Sequence, residues 1–140
     1  MRPAGAPVPS CAAHRGDTSG VINGFHTVLF AADPVAARAF FRDVIGFAHV
    51  DAHDGWLIFK TPPSELGVHP APAPQSGRAD PYLMCDDIEV TVRDLTARGA
   101  EFVGEIEDQG FGLVARMLVP GAGEMGLYQP KHATAHELPG

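Results

Sequence analysis

The chain carries one phrase twice. Glu65-Leu66-Gly67-Val68-His69-Pro70 returns as Glu124-Met125-Gly126-Leu127-Tyr128-Gln129-Pro130, and each copy closes a block that opens with an aspartate ahead of a helical run. An internal repeat constrains a fold more than any single element does, because each copy must be the same supersecondary unit and neither buries its apolar face alone. The expectation is two similar modules that face each other across a hollow, and the hollow is where function is sought.

The helices follow from caps and periodicity. Asp33-Pro34 opens a run that stops at Gly46-Phe47, and Asp87-Ile88 opens a run of nearly equal length that stops at Gly99-Ala100. An aspartate at the N-cap accepts a hydrogen bond from an orphan amide of the first turn, and proline suits the first helical position, where no amide partner is needed. Glycine suits the left-handed position at the C-terminal end. Ala37, Phe40, Phe41, Val44 and Ile45 recur at helical spacing, with Arg38, Arg42 and Asp43 elsewhere on the wheel; Ile88, Val92 and Leu95 repeat the design with a weaker stripe.

Strand-like runs flank each helix. Phe25–Ala31 precedes the first, and 47–50, 56–59 and 66–69 follow it; 82–86 precedes the second, and 102–106, 111–118 and 125–128 follow it. Gly, Asp and Pro separate these aromatic and β-branched runs, as strand-and-turn chemistry requires, and Asp51 to Asp54 is a hairpin loop. Each module therefore reads strand, helix, three strands. Two such βαβββ modules make an α+β protein, with the helices on one side of curved, mostly antiparallel sheets around a cavity. The sequence divides into a disordered leader at 1–21, one domain at 22–131 (module one 22–70, linker 71–79, module two 80–131) and a flexible tail at 132–140.

Composition removes several function classes. A formal net charge of −7, with ten Lys and Arg residues that form no stripe, argues against a nucleic-acid partner. No run approaches the ~20 consecutive apolar residues of a membrane span, and the Ala-, Pro- and Gly-rich start lacks the apolar core of an export signal. Two cysteines, Cys11 in the leader and Cys85 in a strand, fit a reducing cytoplasm and need no disulfide. There is no glycine-rich phosphate loop, no paired-cysteine zinc motif and no serine in a nucleophile elbow.

In the order and spacing of these features the chain resembles the vicinal oxygen chelate superfamily, which includes glyoxalase I, bleomycin-resistance proteins and extradiol dioxygenases. The resemblance runs from about Gly24 to Pro130. It rests on His26 in the first strand ahead of Asp33, on Phe40-Phe41-Arg42-Asp43-Val44-Ile45-Gly46-Phe47, on Asp86-Asp87 before the second helix, and on the closing Leu127-Tyr128-Gln129-Pro130. It implies a divalent metal (Zn, Ni, Fe or Mn) held by one ligand from the first strand and one, commonly glutamate, from the last strand of each module. It also implies a homodimer, which exposed sheet edges would encourage.

His26 matches the first-strand ligand. Asp80 stands at the equivalent point of module two, while Gly67 and Gly126 occupy the two glutamate positions. Residues two apart on a strand share a face but lie roughly 6.6 Å apart, whereas a zinc ligand sits at about 2.0–2.2 Å, so a neighbour cannot simply substitute. Either the metal site is rebuilt from His26, His69 and Glu124, with Glu65 or Asp80 as a fourth ligand, or it is absent.

Two functional expectations follow. One is a metal-dependent lyase, isomerase or dioxygenase acting on a small molecule with adjacent oxygens, with Glu65 as general base if burial lifts its pKa. The other is a protein that sequesters a drug or metabolite without turnover, in a cup widened by the two glycines and lined by Trp56, Phe111, Arg116 and Tyr128. A dimer with no active cup is the plain alternative. Trp56 lines the cup or fills the core. Arg116, mid-strand, needs solvent, an acid partner or an anionic ligand.

Overall fold

The computed structural model describes residues 23–139; the leader and Cys11 lie outside the described residues. The first helix, α1 (Pro34–Ala39), starts where the caps predict. Asp33 Oδ1 accepts from the Ala36 amide at 3.1 Å, and Pro34 occupies the first turn. The helix then widens into a π-helical turn over Phe40–Ile45 and ends on Gly46 in the left-handed region at φ 85°. A hairpin follows, β1 (His49–Asp51) against β2 (Leu57–Phe59), with the Asp51 carboxylate accepting from the Gly55 amide inside the turn. Phe41 stacks on Phe47 and tilts against Phe59, which ties the hairpin to the widened turn.

Module two is the complete unit. It contains β3 (Tyr82–Met84), α2 (Ile88–Ala97), β4 (Phe102–Asp108), β5 (Gly112–Val119) and β6 (Gly123–Pro130). The strands make a sheet in the order β3-β6-β5-β4, with β3 parallel to β6 and the other pairs antiparallel. Asp87 caps α2 by accepting from the Val90 amide at 3.2 Å, and the Gln129 side chain accepts from the Ile88 amide at 3.0 Å. The pairing of β4 with β5 shifts register between Val103 and Glu107, where Gly104 takes φ 72°.

Alternation along β5 and β6 decides what each face of the sheet does. Ala115, Met117, Val119, Met125 and Leu127 point toward the helices and form the core with Ala37, Phe40, Ile88, Leu95 and Ala100. Ile88, Met117 and Leu127 are fully enclosed, and each such side chain contributes about 1.5–3 kcal/mol by leaving water. Module one reaches this core through its helix and, just ahead of it, Ala31. The Asp33 amide donates to Gly121 O at 3.0 Å, and Arg98 Nη1 donates to Val44 O at 3.2 Å. Gly121 is required there, because a Cβ would overlap the Asp33 backbone.

The two modules differ in completeness. The strands expected at Phe25–Ala31 and 66–69 are not paired: neither segment belongs to a sheet in this chain. Their apolar side chains face water, with Phe25 71%, Phe30 87%, Leu66 74% and Val68 91% exposed. The physical reason is local. The β1–β2 hairpin is only three residues long on each side, and among the described residues it has no neighbouring strand on either edge. Among the described residues, no helix is long and apolar enough to cross a membrane.

Candidate functional site

The face of the module-two sheet turned away from the helices is open and chemically mixed. Register places Val114, Arg116 and Leu118 of β5 beside Glu124, Gly126 and Tyr128 of β6 on this face, and Tyr82 of β3 opposite Gly126. Glu124, Gly126 and Tyr128 share this face, as residues two apart on a strand do. Arg116 finds the acid partner that a mid-strand charge needs: its Nε lies 3.4 Å from Glu124 Oε1, with both side chains more than two-fifths exposed.

Glycines make room for rings. A Cβ on Gly126 would run into the Tyr82 ring, and one on Gly112 would meet the Tyr128 ring at 3.1 Å and Gln129 O at 2.6 Å. Tyr82 and Tyr128 meet edge to face at 5.4 Å between centroids, and Phe111 meets Tyr128 likewise at 5.6 Å. Such T-shaped pairs add about 0.5–1.5 kcal/mol beyond area burial. The open face thus carries an aromatic run, Tyr82, Tyr128 and Phe111, beside the Arg116–Glu124 pair. Tyr82 was not anticipated from sequence. The available signal was a glycine inside a strand, which marks a close approach of something bulky.

Glu65 reaches the same end of the sheet from module one. Its Oε2 accepts from the Ala135 amide at 2.6 Å and the His136 amide at 3.3 Å, and Oε1 lies 3.9 Å from His132 Nε2. The Tyr128 hydroxyl contacts His132 Nε2 at 3.3 Å. Burial, then the neighbouring Glu65 charge, push the Tyr128 phenol up, so it stays protonated. The expectation that burial would raise Glu65 is corrected here. The Ala135 amide, first among the causes, holds its carboxyl below the ordinary range, which disfavours it as a general base near neutrality.

The other candidates are dispersed. His26 is exposed in the unpaired segment, and exposed His69 is engaged through Nδ1 with Pro70 O at 2.7 Å. Asp80 pairs with Arg78 at 3.2 Å. Trp56 is 60% exposed and lies under the Arg38 guanidinium, 5.0 Å from its centroid, rather than in the core. Cys85 is half-buried, its thiol donates to Tyr128 O at 3.7 Å, and burial pushes it up, as befits an inert thiol.

Among the described residues no three His, Cys, Asp or Glu side chains come together as a metal site, so His26, His69 and Glu124 do not form the expected ligand set within this chain. Glu124 is committed to Arg116, and the Tyr82 ring fills the space where a glutamate at position 126 would project. Among the described residues of one chain, these donors do not converge on a divalent ion. Hollows of about 550 Å³ and 360 Å³ lie elsewhere, along α2 and β4 and beside the β1–β2 hairpin.

An aspartate-capped helix lying on a β3-β6-β5-β4 sheet, preceded by a partial copy of itself, defines an α+β protein of duplicated βαβββ design. Residues 25–126 match the model of the Glyoxalase/Bleomycin resistance protein/Dioxygenase superfamily, and the chain belongs to that superfamily. Among solved structures it is similar to TnmS3, an antibiotic binding protein from Streptomyces sp. CB03234, at 24% identity and TM-score 0.54, covering 79% of this chain and 100% of that one. It is likewise similar to a lactoylglutathione lyase from Agrobacterium tumefaciens (20% identity, TM-score 0.55, 76% and 92% covered). A glyoxalase/bleomycin resistance protein/dioxygenase from Nocardioides shares 17% identity at TM-score 0.53, with 92% and 99% covered. At these identities the likeness is one of fold. No curated protein matches the chain.

Proposed function

We propose that this protein binds a flat aromatic small molecule on the open face of the module-two sheet and sequesters it without turnover. One observation carries the reading: the Tyr82 ring lies over Gly126, where the superfamily's closing-strand acid is expected, and continues into Tyr128 and Phe111. That surface is suited to stacking, and Arg116 at its border offers a charge to an anionic substituent. The fold neighbour TnmS3 is an antibiotic binding protein, and for this chain the ring run beside Arg116 makes a flat aromatic anion the natural first probe.

The working unit in this reading is a homodimer in a reducing cytoplasm. Phe25, Phe30, Leu66 and Val68 are exposed on segments that lack strand partners, and a second copy would both pair the backbone and cover the side chains. The test is calorimetric titration of untagged protein with anthraquinone-2-sulfonate, alongside elemental analysis. Binding that weakens several-fold in Tyr82→Ala and Tyr128→Leu, with no retained metal, is the expected result. One divalent ion per chain, lost in His26→Ala, would instead favour the metal-dependent lyase, isomerase or dioxygenase with His26, His69 and Glu124 as ligands.

A further inference from the structure

The segment after β6 runs back across the Tyr128 end of the open face and is fastened at both ends. Its start is pinned by Lys131, whose amide donates to Phe111 O at 2.8 Å and whose Nζ meets Asp108 Oδ2 at 2.6 Å. His132 then lies beside the Tyr128 ring, 6.1 Å between centroids. Farther on, the chain turns, with the Leu138 amide donating to Ala135 O at 3.0 Å and Thr134 Oγ1 to Glu137 at 3.4 Å. At this turn the amides of Ala135 and His136 both point at one carboxylate, Glu65, whose side chain is 13% exposed. Glu65 belongs to the other module, seventy residues away in sequence from Ala135.

We propose that residues 131–139 form a strap across the Phe111–Tyr128 end of the open face, and that Glu65 is its latch, an internal anion seated in a site built from the strap's own amides. The groups facing this carboxylate are the Tyr128 hydroxyl from β6 and His132 and His136 from the strap. With the latch closed, the strap lies against the Tyr128 ring through His132 while Phe111 and Tyr82 stay partly exposed; with it open, the Tyr128 ring is freed as well. A charge-assisted hydrogen bond is the strongest kind a surface turn makes, so one side chain suffices to hold a segment that is otherwise mostly exposed.

The latch is tested without any ligand, by amide hydrogen exchange of the full chain. Glu65→Ala is expected to speed exchange at Ala135 and His136 by at least about tenfold while β5 and β6 amides keep their protection. Glu65→Gln, which keeps an acceptor but not the charge, should fall between. Sodium formate, small enough to enter the vacated site, should restore protection in Glu65→Ala. Unchanged exchange at Ala135 and His136 in both variants, or a loss that formate does not repair, overturns the latch.

Control of access rests on the ligand reading above and is tested separately. Stopped-flow association of anthraquinone-2-sulfonate should be about tenfold faster in Glu65→Ala, in step with the exchange result. An equal association rate overturns the gating role. No binding in any variant sinks the proposed function, while the exchange data still decide the latch.

Discussion

Module one and module two are written to the same plan and finish differently. Module two closes a four-stranded sheet around Met117 and Leu127, whereas module one contributes its helix to that core and leaves the segments at 25–31 and 66–69 outside any sheet. The difference lies in strand length more than in composition. β5 and β6 run eight residues each and pair along their whole length, which suffices to recruit β3 and β4, while β1 and β2 pair over three. Repetition in sequence therefore guarantees a shared local design and leaves completeness to whatever lies alongside.

The sharpest way to break the comparison is to truncate matched apolar residues. Met117→Ala should cost about 2–5 kcal/mol in urea denaturation, and Val68→Ala, at 91% exposure, about 0.5 kcal/mol or less at high dilution. A Val68→Ala loss that grows with protein concentration would place that residue in a contact between copies. Phe30→Asp with Val68→Asp should then raise a dimer dissociation constant by two orders of magnitude or more, about 3 kcal/mol, in sedimentation analysis. A wild-type protein that is monomeric at every concentration removes the second copy from the account.

The two glycines of the repeated phrase offer a cleaner contrast. Gly126→Ala should lose about 1–3 kcal/mol because the added methyl meets the Tyr82 ring, and Tyr82→Ala in the same chain should relieve most of the loss. Gly67→Ala meets nothing within 4 Å and should be close to neutral. Equal effects at the two positions would mean that the modules are packed alike. The caps should behave as a pair: Asp33→Ala and Asp87→Ala each lose about 1 kcal/mol, read as a shift in the denaturation midpoint.

The smallest effect is acidic. Glu65, held low chiefly by the Ala135 amide, and Asp108, held low chiefly by Lys131, have folded pKa values below 4.5 and 3.8 respectively. Their contribution is present above those ordinary values and is lost as pH falls through the lower folded ones. The protection factor at Ala135, exchange corrected for its intrinsic pH dependence, should fall over that acid window and stay flat from pH 5 to 7.

Helix caps, the left-handed Gly46 and the strands of module two were legible because each depends on neighbours within a few residues. The unpaired flanks were not, since a period-two apolar run looks the same whether its partner strand is in the chain or missing from it. At the site, Phe111 meets Tyr128 and Arg116 lies on the same sheet face, while Trp56 lies under Arg38 and His26, His69 and Glu124 stay apart among the described residues. Two of the site's determinants were hidden for opposite reasons. Tyr82 depends on register between β3 and β6, and the hold on Glu65 depends on a tail whose polar sequence announces no structure.

The kink at Gly104 has an effect on how molecules of this protein can meet. A rim strand whose hydrogen-bonding row is interrupted midway makes a poor template for a stranger's backbone. Stacking through β4 into open-ended fibres is thereby discouraged.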